Sequence, residues 1–69
     1  MRISTNGEEV VLESPVTVEE LLILLKVEMP EYVTVQINDE FVEREEFSIR
    51  DINEGDEIEF LYFMGGGKN

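Results

Sequence analysis

The sequence predicts an α+β domain, in which one main helix covers one face of a mixed sheet of four to five strands, in the order β-β-α-β-β-β. Three observations lead to this expectation. An Asn-Gly pair separates two short β-type segments, one amphipathic segment begins with a helix cap, and further short β-type segments follow it between turn residues. With 69 residues, the chain is expected to form one domain with a small core.

The chain opens with a predicted β-hairpin. Residues 1–5 alternate between apolar and polar side chains, as in a strand with one buried face. Asn6-Gly7 follows, and this pair favours a two-residue hairpin turn because both of its positions need a positive φ. Residues 9–13 are therefore predicted to form the returning strand.

A single helix is predicted after this hairpin. Ser14-Pro15 ends the second strand, and Thr17 with Glu20 matches a capping box, in which each side chain binds the other residue's amide. The helix should have about ten residues and end before Pro30, because a residue preceding proline avoids the α region. Its core-facing stripe is predicted to comprise Val18, Leu21, Leu22 and Leu25.

Three more strands are predicted in the second half of the chain. Residues 33–37 alternate and are rich in β-branched residues, Asn38-Asp39 forms a turn, and Phe41-Val42 begins a short strand. The segment that follows should be a loop with a short turn of helix. Its apolar residues are spaced too irregularly for a strand and are expected to fill the core: Phe47, Ile49 and Ile52.

The last strand raises the question of a binding surface. It should begin at Glu57, after a turn at residues 53–56. Because side chains alternate along a strand, Ile58, Phe60 and Tyr62 should share the buried face. Glu59 then marks the opposite face as the solvent side. Apolar residues next to it form a predicted partner-binding patch, which consists of Leu61, Phe63 and Met64.

The composition favours binding over catalysis. The chain has no Cys and no His, so the usual nucleophile, general base and transition-metal ligands are missing. A carboxylate enzyme or a calcium site that uses Glu43, Glu45 and Glu46 is disfavoured, because Glu-rich runs are usually solvated faces and no Asp-x-Asp-x-Asp-Gly loop is present. We therefore expect no catalytic residue, no metal site and no bound cofactor.

The charge indicates which partners to expect. Asp and Glu number 17, against 5 Lys and Arg, so nucleic acid and anionic membranes are disfavoured as partners and a basic protein surface is favoured. The sequence has neither a membrane-spanning apolar stretch nor a signal sequence, so a cytoplasmic location is expected.

The chain closes with five apolar residues, three glycines and Lys68-Asn69. Glycine loses the most backbone entropy on ordering, so Gly65, Gly66 and Gly67 should contribute nothing to the fold. The expected organisation is a folded domain at residues 1–64 followed by a flexible tail at residues 65–69.

The sequence as a whole resembles the ThiS family of ubiquitin-like (β-grasp) sulfur carriers, which act in thiamin thiazole biosynthesis. The resemblance rests on the β-β-α-β-β-β order, Met1-Arg2-Ile3 with Asn6-Gly7, Gly55-Asp56 before the last strand, and the three glycines. MoaD, the carrier of molybdopterin synthesis, has the same fold and a Gly-Gly end.

This resemblance implies a function for the tail. In the family, an E1-like enzyme of the ThiF type uses ATP to adenylate the terminal glycine carboxylate, which then becomes a thiocarboxylate. By this resemblance Gly67 is the activated residue, Gly65 and Gly66 belong to the tail, and a thiazole synthase of the ThiG type, or another acceptor, receives the sulfur. The protein would then be a co-substrate of partner enzymes rather than an enzyme.

Lys68-Asn69 leave three alternatives open. The chain is a precursor that a processing protease trims, a carrier with residues left by cloning, or a domain that no longer carries sulfur. The alternative functions are a sulfur carrier for molybdopterin or amino-acid synthesis and a non-covalent ubiquitin-like interaction module.

Overall fold

The computed structural model describes residues 1–62, which form a mixed sheet, an α-helix and a short 3₁₀ turn at Arg44–Glu46. The predicted order of elements is confirmed. The α-helix is α1 (Val18–Leu24), and the strands are β1 (Arg2–Thr5), β2 (Glu8–Val11), β3 (Thr34–Ile37), β4 (Glu40–Val42) and β5 (Glu57–Leu61).

The five strands lie in the order β2-β1-β5-β3-β4. The central neighbours β1 and β5 are parallel, and the other neighbouring pairs are antiparallel, so the predicted mixed sheet is confirmed. Helix α1 covers one face of the sheet, and its buried residues share one core with the buried residues of that face. The buried core consists of Ile3, Leu12, Val18, Leu21, Leu22, Val33, Val35, Ile37, Val42, Phe47, Ile52 and Ile58.

Both hairpins use two-residue turns with a positive φ at each turn position. The φ angles are 49° at Asn6 and 85° at Gly7 in the first turn, and 53° at Asn38 and 72° at Asp39 in the second. This is the geometry of the type I′ turn, whose twist matches that of the flanking strands. Each turn therefore fixes the register of its hairpin.

The predicted capping box at the start of α1 is confirmed. The Thr17 hydroxyl accepts a hydrogen bond from the Glu20 amide at 3.2 Å, and the Glu20 carboxylate accepts one from the Thr17 amide at 2.9 Å. Helix α1 has seven residues, and no helix in residues 1–62 is long and apolar enough to cross a membrane.

The helix is shorter than the predicted ten residues because Lys26 adopts a left-handed conformation, with φ at 55°. The Lys26 amide donates to the Ile23 carbonyl at 3.1 Å, and the Val27 amide donates to the Leu22 carbonyl at 3.0 Å. This pair of bonds is a Schellman motif, which ends a helix and satisfies its last carbonyl groups. A lysine occupies the position where glycine is most common, so the sequence contains no glycine to mark this end.

A buried carboxylate fixes the start of β5. Asp56 accepts hydrogen bonds from the Asn53 amide at 2.8 Å and from the Asn38 side-chain amide at 3.1 Å. The Asn38 side-chain oxygen in turn accepts a hydrogen bond from the Glu57 amide at 3.0 Å. The two turns before β4 and β5 are thus joined, which sets where β5 enters the sheet.

The prediction that Ile49 fills the core is wrong. Phe47 and Ile52 are buried as predicted, but Ile49 is 73% exposed. The backbone continues to turn after the 3₁₀ segment, since the amides of Ile49 and Arg50 both donate to the Glu46 carbonyl. This turning places Ile49 on the outer side of the loop.

The prediction that Tyr62 lies on the buried face of the last strand is right about the face, which α1 covers, but Tyr62 is not buried there. Ile58 is buried and Phe60 packs against the core, as predicted, but Tyr62 is exposed and lies one residue beyond the end of β5. Its hydroxyl donates a hydrogen bond to the Glu28 carbonyl. Tyr62 therefore links the end of β5 to the loop that follows α1.

Candidate protein-binding surface

Of the three residues in the predicted partner-binding patch, Leu61 is the one that lies within the described residues. It is the last residue of β5 and lies opposite Thr34 of β3. Since Phe60 packs against the core, alternation along the strand places the Leu61 side chain on the other face of the sheet, as predicted. Leu61 is partly buried there rather than fully exposed.

A second large apolar residue lies on this outer face. Phe41 is directly opposite Gln36, which is directly opposite Glu59 of β5. The Phe41 side chain is 62% exposed. Phe41 and Leu61 lie two strands apart, about 10 Å, and are offset by two residues along the strands, about 7 Å, so roughly 12 Å separates their backbones. We call this surface the outer patch, which comprises Thr34, Gln36, Phe41, Glu59 and Leu61.

Sequence reasoning missed Phe41 as a surface residue, although a signal for it is present. A two-residue turn at Asn38-Asp39 places Gln36 opposite Phe41 and Val35 opposite Val42. Because Val35 is a β-branched residue of the buried stripe, this register already places Phe41 on the outer face.

The C-terminal end of β5 is held by the turn of the first hairpin. The Asn6 amide donates to the Ile58 carbonyl at 2.9 Å, and the Asn6 side-chain oxygen accepts a hydrogen bond from the Phe60 amide at 2.9 Å. These bonds extend the β1–β5 pairing by one turn residue. The strand that carries Leu61 is therefore anchored to the turn as well as to β3.

The outer face is acidic around the patch. Glu57 and Glu59 are exposed on β5, and Glu9 lies opposite Ser4 on the same face. The Arg2 guanidinium lies 3.5 Å from the Glu9 carboxylate, but both side chains are largely exposed, so this pair adds little stability. An apolar patch with acidic neighbours suits a partner surface that combines apolar and basic residues.

The other predicted site residues lie outside the described residues. These are the patch residues Phe63 and Met64, the tail residues Gly65 and Gly66, and the activated residue Gly67. The predicted domain boundary after residue 64 lies there too, as do Lys68 and Asn69. Their assignments stay predictions.

The described residues do not assemble a metal-binding group. Within residues 1–62, no three acidic side chains come together in an arrangement that could hold a metal ion, and the whole sequence lacks Cys and His.

The chain is similar to solved structures of one bacterial protein. The crystal structure of the thiamine biosynthesis protein ThiS from Geobacter metallireducens is 46% identical, with a TM-score of 0.90, and the alignment covers 97% of this chain and 100% of that one. The solution structure of a thiamine biosynthesis protein from the same organism is also 46% identical, with a TM-score of 0.77 and coverage of 100% and 91%. The expected β-grasp fold is thereby confirmed. No curated protein sequence matches the chain.

The family comparison agrees with the structural one. The model of the ThiS family matches residues 1–67, which is nearly the whole chain and includes all three tail glycines. The chain therefore belongs to the ThiS family.

Proposed function

We propose that this protein is a sulfur carrier of thiamin biosynthesis, whose Gly67 carboxylate is adenylated and then converted to a thiocarboxylate. The observation that carries the proposal is the family match, which begins at residue 1 and ends at Gly67. The Geobacter protein named for thiamine biosynthesis supports the same pathway, since it aligns over nearly the full length of both chains.

The proposed chemistry takes place at one carboxyl group. The Gly67 carboxylate attacks the α-phosphorus of ATP, which forms an acyl adenylate and releases pyrophosphate. A sulfide equivalent then attacks the acyl carbon, and AMP leaves with the electrons of the broken acyl–oxygen bond. The product is a Gly67 thiocarboxylate, which can donate its sulfur to an acceptor such as a thiazole synthase.

In this proposal the chain supplies a reactive end and a docking surface, and its partners supply the catalysis. ATP binds to the activating enzyme of the E1-like ThiF type, not to the carrier. Three glycines carry no side chains, so the tail can enter a narrow active site, and glycine permits backbone conformations that other residues avoid. The outer patch, whose Leu61 precedes Gly65 in the sequence by four residues, provides apolar contact area for the partner enzymes.

The residues after Gly67 determine whether this chemistry can begin. Gly67 is followed by Lys68 in the sequence, so its carboxyl group is part of an amide bond. An amide has no free carboxylate to attack ATP. The proposal therefore requires that Gly67 is the last residue when activation begins, either because a processing protease removes Lys68-Asn69 or because these two residues are left by cloning.

The test compares two chains, one that ends at Gly67 and one that ends at Asn69. Each is incubated with ATP, a sulfide source and an E1-like enzyme of the ThiF type, and the products are weighed by intact-mass spectrometry. A ThiS-family carrier known to be modified by that enzyme serves as the positive control. We expect replacement of one oxygen by sulfur only in the chain that ends at Gly67.

Two results would contradict the proposal. If the chain ending at Gly67 is never modified while the positive control is, sulfur transfer is wrong and a non-covalent interaction module is favoured. If the chain ending at Asn69 is modified equally well without loss of its last two residues, the activated group is not the Gly67 carboxylate.

A further inference from the structure

An apolar groove, separate from the outer patch, lies beside the edge strand β2. The groove runs between β2 and the second half of α1 and encloses about 530 Å³. Most of its lining is aliphatic, and Leu24 on the helix side is 56% exposed. The groove is lined by Val10, Val11, Leu12, Glu13, Ser14, Val16, Leu24 and Leu25.

The backbone of β2 has hydrogen-bonding groups that face away from the sheet. Met1 and Leu12 exchange two hydrogen bonds, at 2.8 and 2.9 Å. In an antiparallel pair of strands, hydrogen-bonded residue pairs alternate with pairs whose backbone groups point away from the partner strand. Counting from the Met1–Leu12 pair, the amide and carbonyl groups of Glu9 and Val11 therefore point away from β1. Within residues 1–62, β2 has β1 as its single neighbouring strand.

The register of β1 supports this geometry independently. Arg2 and Ser4, which lie opposite Val11 and Glu9, direct their backbone groups away from β2. The Ser4 amide donates to the Asp56 carbonyl at 3.0 Å, and the Arg2 carbonyl accepts from the Gly55 amide at 2.7 Å. Glu9 and Val11 consequently present two donors and two acceptors at the edge of the sheet.

The charge at this edge indicates the chemistry of the occupant. Residues 8–13 are Glu-Glu-Val-Val-Leu-Glu, with three carboxylates, and the one basic group beside them is the Arg2 guanidinium, 3.5 Å from the Glu9 carboxylate, so negative charge predominates at this edge. A segment with aliphatic side chains in its centre and Lys or Arg at its ends complements both the groove and its acidic margin. A second copy of this chain does not, because β2–β2 pairing would bring together these carboxylates on two chains of net charge −12.

We propose that β2 and its groove bind an extended, basic-flanked aliphatic segment of a partner protein, which adds to the sheet as a sixth strand. Its backbone pairs with Glu9 and Val11, and its groove-side aliphatic side chains contact Val10, Leu24 and Leu25. The glutamates at this edge repel acidic segments, which keeps the open edge selective. The sulfur-carrier proposal does not depend on this site.

The test is a titration of the ¹⁵N-labelled protein with the peptide Lys-Arg-Val-Leu-Val-Ile-Lys-Arg. We expect saturable shifts of the Glu9 and Val11 amides, slower hydrogen exchange at these two positions, and weaker binding as salt rises. The control peptide has the same apolar centre with Glu and Asp at its ends and should not bind.

Two neighbouring helix residues provide matched variants. Leu24 lines the groove, whereas Ile23, which is 72% exposed, does not. Leu24→Glu should weaken peptide binding about tenfold or more, as the loss of a central interface contact does. Ile23→Glu adds the same charge on the same helix and should change the affinity less than twofold.

Four results of the peptide titrations would overturn the proposal. These are a dissociation constant for the basic peptide above about 1 mM, shifts confined to the outer patch, equal binding of the acidic peptide, and equal effects of the two helix variants. Concentration-dependent dimerisation that shifts the Glu9 and Val11 amides without peptide would assign the edge to a second copy instead.

Discussion

The side chain of Asn6 accepts a hydrogen bond from the Phe60 amide at 2.9 Å and so connects residues that are 54 positions apart in the sequence. Asn6 also occupies a left-handed turn position, with φ at 49°. Asn6 thus takes part in the first hairpin turn and also holds the C-terminal end of β5. The placement of Leu61, and with it the outer patch, depends in part on this contact.

Replacement of Asn6 by glycine should separate these two roles. Glycine adopts the positive φ of the turn but has no side-chain acceptor for the Phe60 amide. We expect Asn6→Gly to lower the free energy of unfolding by about 1 kcal/mol, the usual net contribution of one hydrogen bond. Hydrogen exchange at the Phe60 amide should become faster, while Asn6→Asp, which keeps an acceptor oxygen, should retain most of the protection. Unchanged exchange in Asn6→Gly would show that the contact does not hold β5.

A glycine at position 26 should stabilise the protein. Lys26 ends α1 in a left-handed conformation, which costs a residue with a Cβ about 1–2 kcal/mol relative to the right-handed region. Lys26→Gly should therefore raise the free energy of unfolding by about 0.5–1 kcal/mol, measured by urea denaturation. Lys26→Ala removes the same charge but keeps the strained conformation, so an equal gain in both variants would assign the effect to charge.

Two isoleucines three positions apart should respond very differently to truncation. Ile52 is 1% exposed, so Ile52→Ala should cost about 2–5 kcal/mol, because it removes buried methyl groups and leaves a cavity. Ile49→Ala should change the free energy of unfolding by less than about 0.5 kcal/mol, as most surface substitutions do. Chemical denaturation of both variants measures the difference. Similar losses would mean that Ile49 packs into the core after all.

The contrast between these isoleucines shows where sequence patterns stop being informative. In the hairpins and in α1, a fixed period, turn residues and a capping box specify which side chains face the core. Ile49 lies in a loop after a 3₁₀ turn, where no period applies and burial depends on the local path of the backbone. The end of α1 was also missed, because Lys26 takes a position at which glycine usually marks the helix end.

The candidate site was predictable only in part. Strand alternation places Leu61 on the outer face, and the structure agrees. To place Phe41 on the outer face, the register of the second hairpin must also be known. That register follows from the turn at Asn38-Asp39 only if the turn is taken to have two residues. The groove beside β2 could not be predicted at all, since it depends on how far α1 lies from an edge strand.

The acidic surface should accelerate docking. We expect the association rate constant with an E1-like adenylating enzyme to fall as the ionic strength rises from about 0.01 to 1 M, because the screening length falls from about 30 Å to 3 Å. Stopped-flow measurements of association would test this. Glu59→Gln, within the outer patch, should lower the rate at low salt more than Glu45→Gln, in the 3₁₀ turn. A rate that is indifferent to salt would leave the charge without a role in docking.

The last prediction concerns the outer patch itself. Leu61→Glu and Phe41→Glu should each weaken binding of the E1-like enzyme at least about tenfold, because each places a charge in the apolar part of the interface. Phe41 is well exposed, so Phe41→Glu should leave the fold intact, and a far-UV circular dichroism spectrum with an unchanged denaturation midpoint would confirm this. The measurement is the equilibrium dissociation constant of each variant with the enzyme.

Ile49→Glu is the matched control for these variants. It adds the same charge to an apolar residue that is well exposed, as Phe41 is, but Ile49 lies in the loop after the 3₁₀ turn and not on the outer patch. Its binding should change less than twofold, since an exposed residue outside an interface contributes little. If Ile49→Glu weakens binding as much as Phe41→Glu, added charge alone explains the loss. If neither patch variant weakens binding while both remain folded, the partner docks on another surface.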